Sequence, residues 1–201
     1  MLELQKESMP AEDALPLLQM ALQDQAEQVR GMAAFALGIK PLPDSLTLLV
    51  QTLESDPDDN VRAMAAGALG YLGDRQALAA LSHVLLKDTN WLVQFSATVA
   101  LGNLRDPQAI DILLTALDSD RALVQEAAIM ALGEIGSVAQ VEQVLRFVPS
   151  PDWMIRKRVA EALGNMPTAQ SQSALKYLSQ DDNPQVAAAA KLAGEQLAKL
   201  L

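Results

Sequence analysis

The residue types that carry most enzyme chemistry are scarce in this chain. It contains no cysteine and one histidine, His83. Thiolate metal sites, cysteine nucleophiles and disulfides are therefore excluded, and one imidazole cannot build the usual transition-metal site. No nucleophile motif accompanies His83, and the acidic pairs Asp58/Asp59 and Asp181/Asp182 are interpreted as solvated turns. We predict no catalytic residue and no metal site, and we expect His83 at the surface.

A second set of residues recurs at a fixed spacing. The segment from Val61 to Asp74 reads VRAMAAGALGYLGD and returns in altered form along most of the chain. The copies begin at intervals of 32, 32, 31, 31 and 31 residues, with Val29, Val61, Val93, Val124, Ile155 and Val186 as their first residues. A period in this range is the signature of a repeat solenoid, in which each unit buries its apolar face by stacking on the next.

Each repeat contains two helical patterns. Ahead of Val61, apolar residues at i, i+3, i+4 and i+7 form a first helix, and the second helix follows from Val61 itself. Predicted N-caps precede the first helices at Asp44, Asp74, Asp106, Ser137 and Thr168. Predicted helix stops follow at Gly70, Gly102, Gly133 and Gly164.

These patterns predict an all-α protein, a right-handed α-solenoid of five clear helix pairs and a degenerate sixth at the C-terminus. Residues 11–201 would form one repeat domain, and residues 1–10 a tail or partial cap.

Composition and charge restrict the partners. Half of the residues are hydrophobic but only 3% are aromatic, and the net charge is −10 from 15 basic and 25 acidic residues. Nucleic-acid binding requires a dense basic face, which this balance does not supply. The N-terminus lacks a signal-peptide pattern, and no apolar run approaches the roughly 20 residues of a membrane span. We expect a cytoplasmic protein with no membrane insertion.

One face of the second helices is a candidate binding surface. Counting from the first Val or Ile as zero, positions +2, +6 and +10 share a face that would line the inside of the solenoid. This face carries Phe35, Tyr71, Phe95, Val99, Asn103, Glu126, Met130, Glu134, Lys157, Glu161 and Asn165. Its middle is apolar, and an exposed apolar patch often marks a binding site. The alternative is a superhelix closed tightly enough to bury these side chains.

Two further repeat positions carry candidate binding residues. Trp91 and Trp153 both occupy position −2, where they would form either a ledge for a flat conjugated ligand or a hydrophobic clamp at a helix start. Arg30, Arg62 and Arg156 share position +1. They would either meet ligand carboxylates, which arginine matches bidentately, or pair with aspartates of adjacent turns. The available aspartates are Asp24, Asp56, Asp58, Asp88 and Asp152.

The pattern V-R-x-x-A-A-x-A-L-G-x-L-G-D resembles the short HEAT-like repeat, in the variety named after the phycobilin lyases of cyanobacteria. Residues 90–104 and 152–165 are similar to the small lyase-like proteins linked to phycobilisome degradation. The resemblance covers roughly residues 11–199. It implies a protein that engages phycobiliproteins and assists detachment or handling of their bilin chromophores, with lyase-type activity if any.

The resemblance also implies the partners and the ligand. We expect phycobiliprotein subunits, or another protein segment, in the groove, with no required cofactor. Phycocyanobilin would bind noncovalently, because no cysteine is present to form a thioether. The candidate binding residues are Tyr71, Trp91, Phe95, Val99, Asn103, Met130, Glu134, Trp153 and Arg156. The alternatives are a non-catalytic adaptor for protein–protein interaction and, more weakly, a subunit of an E/F-type phycobilin lyase.

Overall fold

The computed structural model describes residues 11–200, and this part of the chain forms helices without any strand. The twelve α-helices are α1 Ala11–Ala21, α2 Glu27–Ile39, α3 Ser45–Ser55, α4 Asp59–Leu72, α5 Leu78–Lys87, α6 Trp91–Leu104, α7 Ile110–Ala116, α8 Ala122–Ile135, α9 Val141–Leu145, α10 Trp153–Leu163, α11 Ala169–Leu178 and α12 Pro184–Leu197. Short 3₁₀ turns lead into α5, α7 and α9. The tail or cap predicted for residues 1–10 lies outside the described residues.

The helices form six consecutive pairs, which we number as repeats 1 to 6, and the predicted α-solenoid is confirmed. Each even-numbered helix packs on the even-numbered helices of the neighbouring repeats far more extensively than the odd-numbered helices pack on one another. The array therefore curves toward the even-numbered helices. We call their solvent-facing side the inner face.

Leucines fill the layer between repeats. Leu37, Leu69, Leu101, Leu132 and Leu163 follow the repeated alanine in the second helices, and each is fully buried. Burying one such side chain contributes about 2 kcal/mol. Because each repeat covers this leucine only through its neighbour, stability accumulates along the array.

The recurrent glycines have another role than the predicted one. Gly70, Gly102 and Gly133 lie inside α4, α6 and α8, which continue two residues further. A Cβ at Gly133 would lie only 2.6 Å from the Cα of Ala162 in the next repeat. The same Gly–Ala joint occurs at Gly38–Ala68, Gly70–Ala100, Gly102–Ala131, Gly133–Ala162 and Gly164–Ala193. Glycine is required there because the neighbouring helix backbone occupies the space of a side chain.

The helices end instead at later residues with left-handed backbone. Gly73 and Gly136 follow α4 and α8 with φ of 69° and 71°, and Arg105 takes the same place after α6 with φ of 48°. The helices thus end near Gly70, Gly102 and Gly133, as predicted, but these glycines are not themselves the stop residues. Gly164 does follow the last residue of α10, in right-handed conformation.

Three of the five predicted N-caps are confirmed. The side chains of Asp74, Asp106 and Thr168 accept hydrogen bonds from backbone N–H groups two or three residues ahead. Asp44 and Ser137 accept none. At α3 the hydroxyl of the following residue, Ser45, accepts the N–H of Leu42 at 2.8 Å instead.

Candidate functional site

The inner face exposes a long apolar stripe. Most of the exposed large apolar side chains of residues 11–200 lie on even-numbered helices: Val29, Met32, Phe35, Ile39, Met64, Tyr71, Trp91, Val99, Leu123, Met154 and Leu192. Four of the eight methionines, Met32, Met64, Met130 and Met154, belong to these helices. Exposed apolar surface of this extent is a common property of binding sites, and methionine adapts its shape to varied partners.

A depression interrupts this stripe across α6, α8 and α10. Its volume is about 360 Å³, and we call it the groove cavity. Five of the nine predicted binding residues line it together: Phe95, Val99, Asn103, Met130 and Glu134. The other lining residues are Gly102, Leu123, Glu126, Ala127, Ala131, Met154 and Arg158. The periodicity of the inner face thus identified the core of the cavity.

The floor of the cavity is set by a Gly–Ala joint. Gly102 and Ala131 are both buried and both line the cavity. A Cβ at Gly102 would lie 2.8 Å from that of Ala131, so α6 and α8 approach closely there. The larger side chains of Phe95, Val99 and Met130 stand along the walls above this joint.

Glu126 is the one acidic side chain buried within the cavity wall. It occupies position +2 and was expected to face the open groove, but the structure leaves only 5% of it exposed. Arg158 approaches it weakly, with Nε 3.5 Å from Oε2 of Glu126. The same guanidinium donates a shorter hydrogen bond, of 2.9 Å, to Glu161. Burial raises the pKa of the Glu126 carboxyl, and the positive charge of Arg158 offsets only part of that rise.

Sequence periodicity missed six of the lining residues, of which Leu123, Met154 and Arg158 have large side chains. Leu123 and Met154 precede their repeat anchors by one residue, and Arg158 lies at position +3. They reach the cavity from α8 and α10 because the inner face is wider than one helical stripe. The sequence contains one signal that could have identified two of them: Leu123 and Met154 are both apolar and both occupy position −1.

The other acidic lining residue is Glu134. It is about one-third exposed and forms an ion pair with Arg105, the left-handed residue that ends α6. Its charge is therefore compensated across the joint between repeats 3 and 4.

Tyr71 lies on the inner face but outside the groove cavity. It is 63% exposed, and its ring stands edge-on to Phe35, with centroids 6.2 Å apart at 87°. The pair belongs to α2 and α4, on the N-terminal side of the cavity. It extends the apolar stripe toward repeat 1.

The two tryptophans begin α6 and α10. Trp91 is exposed and Trp153 half-buried, and neither lines the cavity. The backbone N–H groups beside them are capped by the side chains of Asn90 and Asp152. The structure thus separates the tryptophans from the five cavity residues.

Arg156 also lies outside the cavity. Its Nε and Nη2 donate to both carboxylate oxygens of Asp181 at 2.7 and 2.8 Å, and its Nη1 donates to the carbonyl oxygen of Ser150 at 2.8 Å. Arg30 and Arg62 make the same contacts with Asp56 and Asp88. We call each such pair, which joins the turns of consecutive repeats, a rung. The expected pairing with turn aspartates is confirmed for Asp56 and Asp88, whereas Arg156 pairs with Asp181 and not with Asp152.

Repeats 3 and 4 have glutamine in place of the rung arginine. Gln94 Nε2 donates to the carbonyl oxygen of Asp88 at 2.9 Å, and Gln125 Nε2 to that of Leu117 at 3.1 Å. Each glutamine thus keeps the bond to its own turn and reaches no carboxylate of the next. The rung is therefore missing between repeats 3 and 4 and between repeats 4 and 5. These three repeats are the ones that the groove cavity spans.

Other features of the structure offer weaker sites. A cavity of about 510 Å³ near the turns of repeats 1 and 2 contains Arg30 and Asp56, whose charges already satisfy each other. His83 is exposed, as expected. Within residues 11–200, no three His, Cys, Asp or Glu residues are grouped to hold a metal ion. No helix in the same range has the length and apolar character needed to cross a bilayer.

The family model for HEAT repeats matches residues 46–132 and 113–193. No curated protein matches the chain.

Solved structures of similar fold come from several kinds of protein. The complex of CpcE and CpcF of phycocyanin lyase from Nostoc sp. PCC7120 has a TM-score of 0.72 at 23% identity, covering 94% of this chain and 77% of that one. An engineered protein gives a TM-score of 0.67 at 23% identity, covering 93% and 97% of the two chains. Kap121p gives 0.75 at 18% identity, covering 93% of this chain and 23% of its own. At these identities the likeness is one of fold.

Proposed function

The chain belongs to the HEAT-repeat family, and we propose that its inner face binds phycobiliproteins and assists the detachment or handling of their bilin chromophores during phycobilisome degradation. The observation that carries the proposal is the groove cavity of about 360 Å³, with Phe95, Val99 and Met130 in its walls. Apolar cavities of roughly 300–1,000 Å³ with a few polar groups are typical of ligand and cofactor sites.

The chemistry of the cavity restricts how a chromophore would be held. The chain has no cysteine, so a bilin would bind through apolar contact and hydrogen bonds. Such noncovalent holding suits a protein that receives a chromophore and passes it on. The fold shared with the CpcE–CpcF complex of phycocyanin lyase supports the choice of ligand.

The test is a titration of the purified chain with intact phycocyanin and, separately, with free phycocyanobilin, followed by absorption spectroscopy. We expect a change in the phycocyanin spectrum and a spectral shift of the free bilin. Phe95→Ala should weaken both interactions about tenfold or more, since a central aromatic side chain often contributes about 2 kcal/mol to binding.

Phe147→Ala is the matched control. Phe147 is also half-buried, but it follows α9 and contacts Arg146, with the guanidinium carbon 5.6 Å from the ring centre. Its truncation should leave both titrations unchanged. If Phe95→Ala folds and binds both ligands as tightly as the wild type, the groove cavity is not the binding site.

The methionines of the inner face favour a second candidate, a non-catalytic adaptor. Met32 and Met64 extend the apolar surface beyond the cavity onto α2 and α4, where a protein segment, but not one small ligand, would reach them. Methionine-rich surfaces accept peptides of varied shape. Under this alternative, Phe95→Ala and Met64→Ala both weaken binding of a protein partner, and free phycocyanobilin gives no spectral shift.

A further inference from the structure

The groove cavity contains a carboxylate that its own surroundings do not satisfy. Glu126 is only 5% exposed, and its hydrogen bond to the chain is the 3.5 Å contact between Oε2 and Arg158. A buried carboxylate normally accepts several shorter bonds, because removal of its charge from water is costly otherwise. The second oxygen of Glu126, Oε1, accepts no hydrogen bond from residues 11–200. It is not fully enclosed, because the one enclosed polar side-chain atom without a partner in this range is Oε1 of Gln143, and Oε1 of Glu126 is thus accessible to a ligand.

Arg158 does not compensate Glu126 fully because it serves two carboxylates. Its shorter hydrogen bond goes to Glu161, at 2.9 Å, and the remaining contact to Glu126 is at the limit of hydrogen-bond distance. Lys157 lies 3.6 Å from Glu161 rather than from Glu126. The negative charge of Asp152 also acts on Glu126. The electrostatic balance around Glu126 is therefore negative.

An occupant of the cavity must then combine two properties. Phe95, Val99, Leu123, Met130 and Met154 require an apolar body. Glu126 requires a hydrogen-bond donor, preferably one with a positive charge, placed within that body and away from water. A conjugated chain of pyrrole rings has this composition, since its N–H groups lie in the interior of an otherwise apolar, flat molecule.

We infer that Glu126 is the specificity-determining residue of the groove cavity and accepts hydrogen bonds from the pyrrole N–H groups of an open-chain tetrapyrrole. This inference rests on the proposed function, because it names the atom through which that ligand is recognised. Burial of the carboxylate strengthens the interaction, since competing water is excluded. The bound chromophore is then held in its protonated, cationic form.

The test compares Glu126→Gln with wild type in titrations with free phycocyanobilin. The amide keeps the shape of the side chain but removes its charge, so we expect affinity to fall about tenfold, the difference between a charge-assisted and a neutral hydrogen bond. At saturation, bilin bound to wild type should show the red-shifted absorption of the protonated chromophore, and bilin bound to Glu126→Gln should not.

Glu195→Gln is the control, since it makes the same change at an exposed carboxylate of α12, outside the groove cavity. It should alter affinity less than twofold. Circular dichroism and thermal melting establish that both variants are folded. The spectral difference is measured on bound ligand, so it does not depend on a loss of affinity.

Three results would overturn the inference. If Glu126→Gln binds phycocyanobilin with wild-type affinity and spectrum, Glu126 does not recognise the ligand, although the proposed function stands. Equal losses in Glu126→Gln and Glu195→Gln would indicate a general effect of the net charge of the chain. If wild type binds phycocyanin but not free bilin, the occupant is a segment of the protein partner.

Discussion

At the scale of single residues, the arginines of the rungs couple one repeat to the next. Arg62 donates two hydrogen bonds to Asp88 and one to the carbonyl oxygen of Asp56. Gln94 occupies the equivalent position in repeat 3 and makes only the bond to its own turn. The chain therefore contains its own example of a repeat without the rung.

We expect Arg62→Gln to destabilise the fold by about 1–3 kcal/mol, because the half-buried carboxylate of Asp88 loses its charged partner. The urea midpoint at pH 7 measures this loss. Arg121→Gln is the control, since Arg121 and Asp120 are both well exposed and such pairs contribute little. Equal midpoints for Arg62→Gln and Arg121→Gln would show that the rung does not stabilise the array.

Residue-level prediction from the sequence succeeded where a residue's role follows from its place in the period. Phe95, Val99 and Met130 were found in this way, since a single helical face brings them together. The burial of Glu126 and its contact with Arg158 were missed. Both depend on how closely α8 and α10 approach each other, and the repeat spacing in the sequence does not reveal that distance.

At the scale of helices, the Gly–Ala joints set the spacing of the inner layer. We expect Gly133→Ala to destabilise the protein by about 1–3 kcal/mol, because its new Cβ would overlap the backbone of Ala162. Gly67→Ala is the matched change within α4, where no atom lies within 4 Å of the added Cβ. It should stabilise by about 0.5–1 kcal/mol.

Thermal unfolding of the two variants measures both effects. If Gly133→Ala is as stable as Gly67→Ala, the close approach at the Gly–Ala joint does not require a glycine. The outcome bears on prediction from sequence as well. A glycine near the end of an apolar helix is usually a stop signal, and only the packing of α8 on α10 distinguishes a joint from a stop.

At the scale of the whole molecule, the ionised aspartates make stability depend on pH. Hydrogen bonds from Arg156 lower the pKa of Asp181. For Asp56 and Asp88, burial acts in the opposite direction, but the hydrogen bonds from Arg30 and Arg62, with further bonds from backbone N–H groups, outweigh it and lower the pKa. The stability from these groups is complete above their unfolded pKa of about 3.9 and is lost as the pH falls through their lower folded values.

Glu126 contributes with the opposite sign. Its raised pKa means that the folded state holds its proton more tightly than the unfolded chain, so its contribution falls as the pH rises above the ordinary glutamate value. With three rung aspartates against one such glutamate, we expect a net loss of stability as the pH falls below about 4.

Urea unfolding at a series of pH values measures the loss. Asp181→Asn should reduce its slope, while Asp111→Asn, a change at an exposed residue of α7, should not. If both variants keep the wild-type slope, the rung at Asp181 is not a source of the acid sensitivity.

The two missing rungs also have a mechanical consequence. Largely buried, bidentate rungs tie repeat 1 to 2, 2 to 3 and 5 to 6, whereas repeats 3, 4 and 5 are linked by the more exposed pairs Arg105–Glu134 and Arg146–Asp118 and by the long contact between Arg158 and Glu126. The two ends of the array are therefore more firmly cross-linked than its centre. We expect bending under load to concentrate in the repeats that surround the groove cavity, so that a bound partner would adjust the local curvature while the flanking repeats keep their shape.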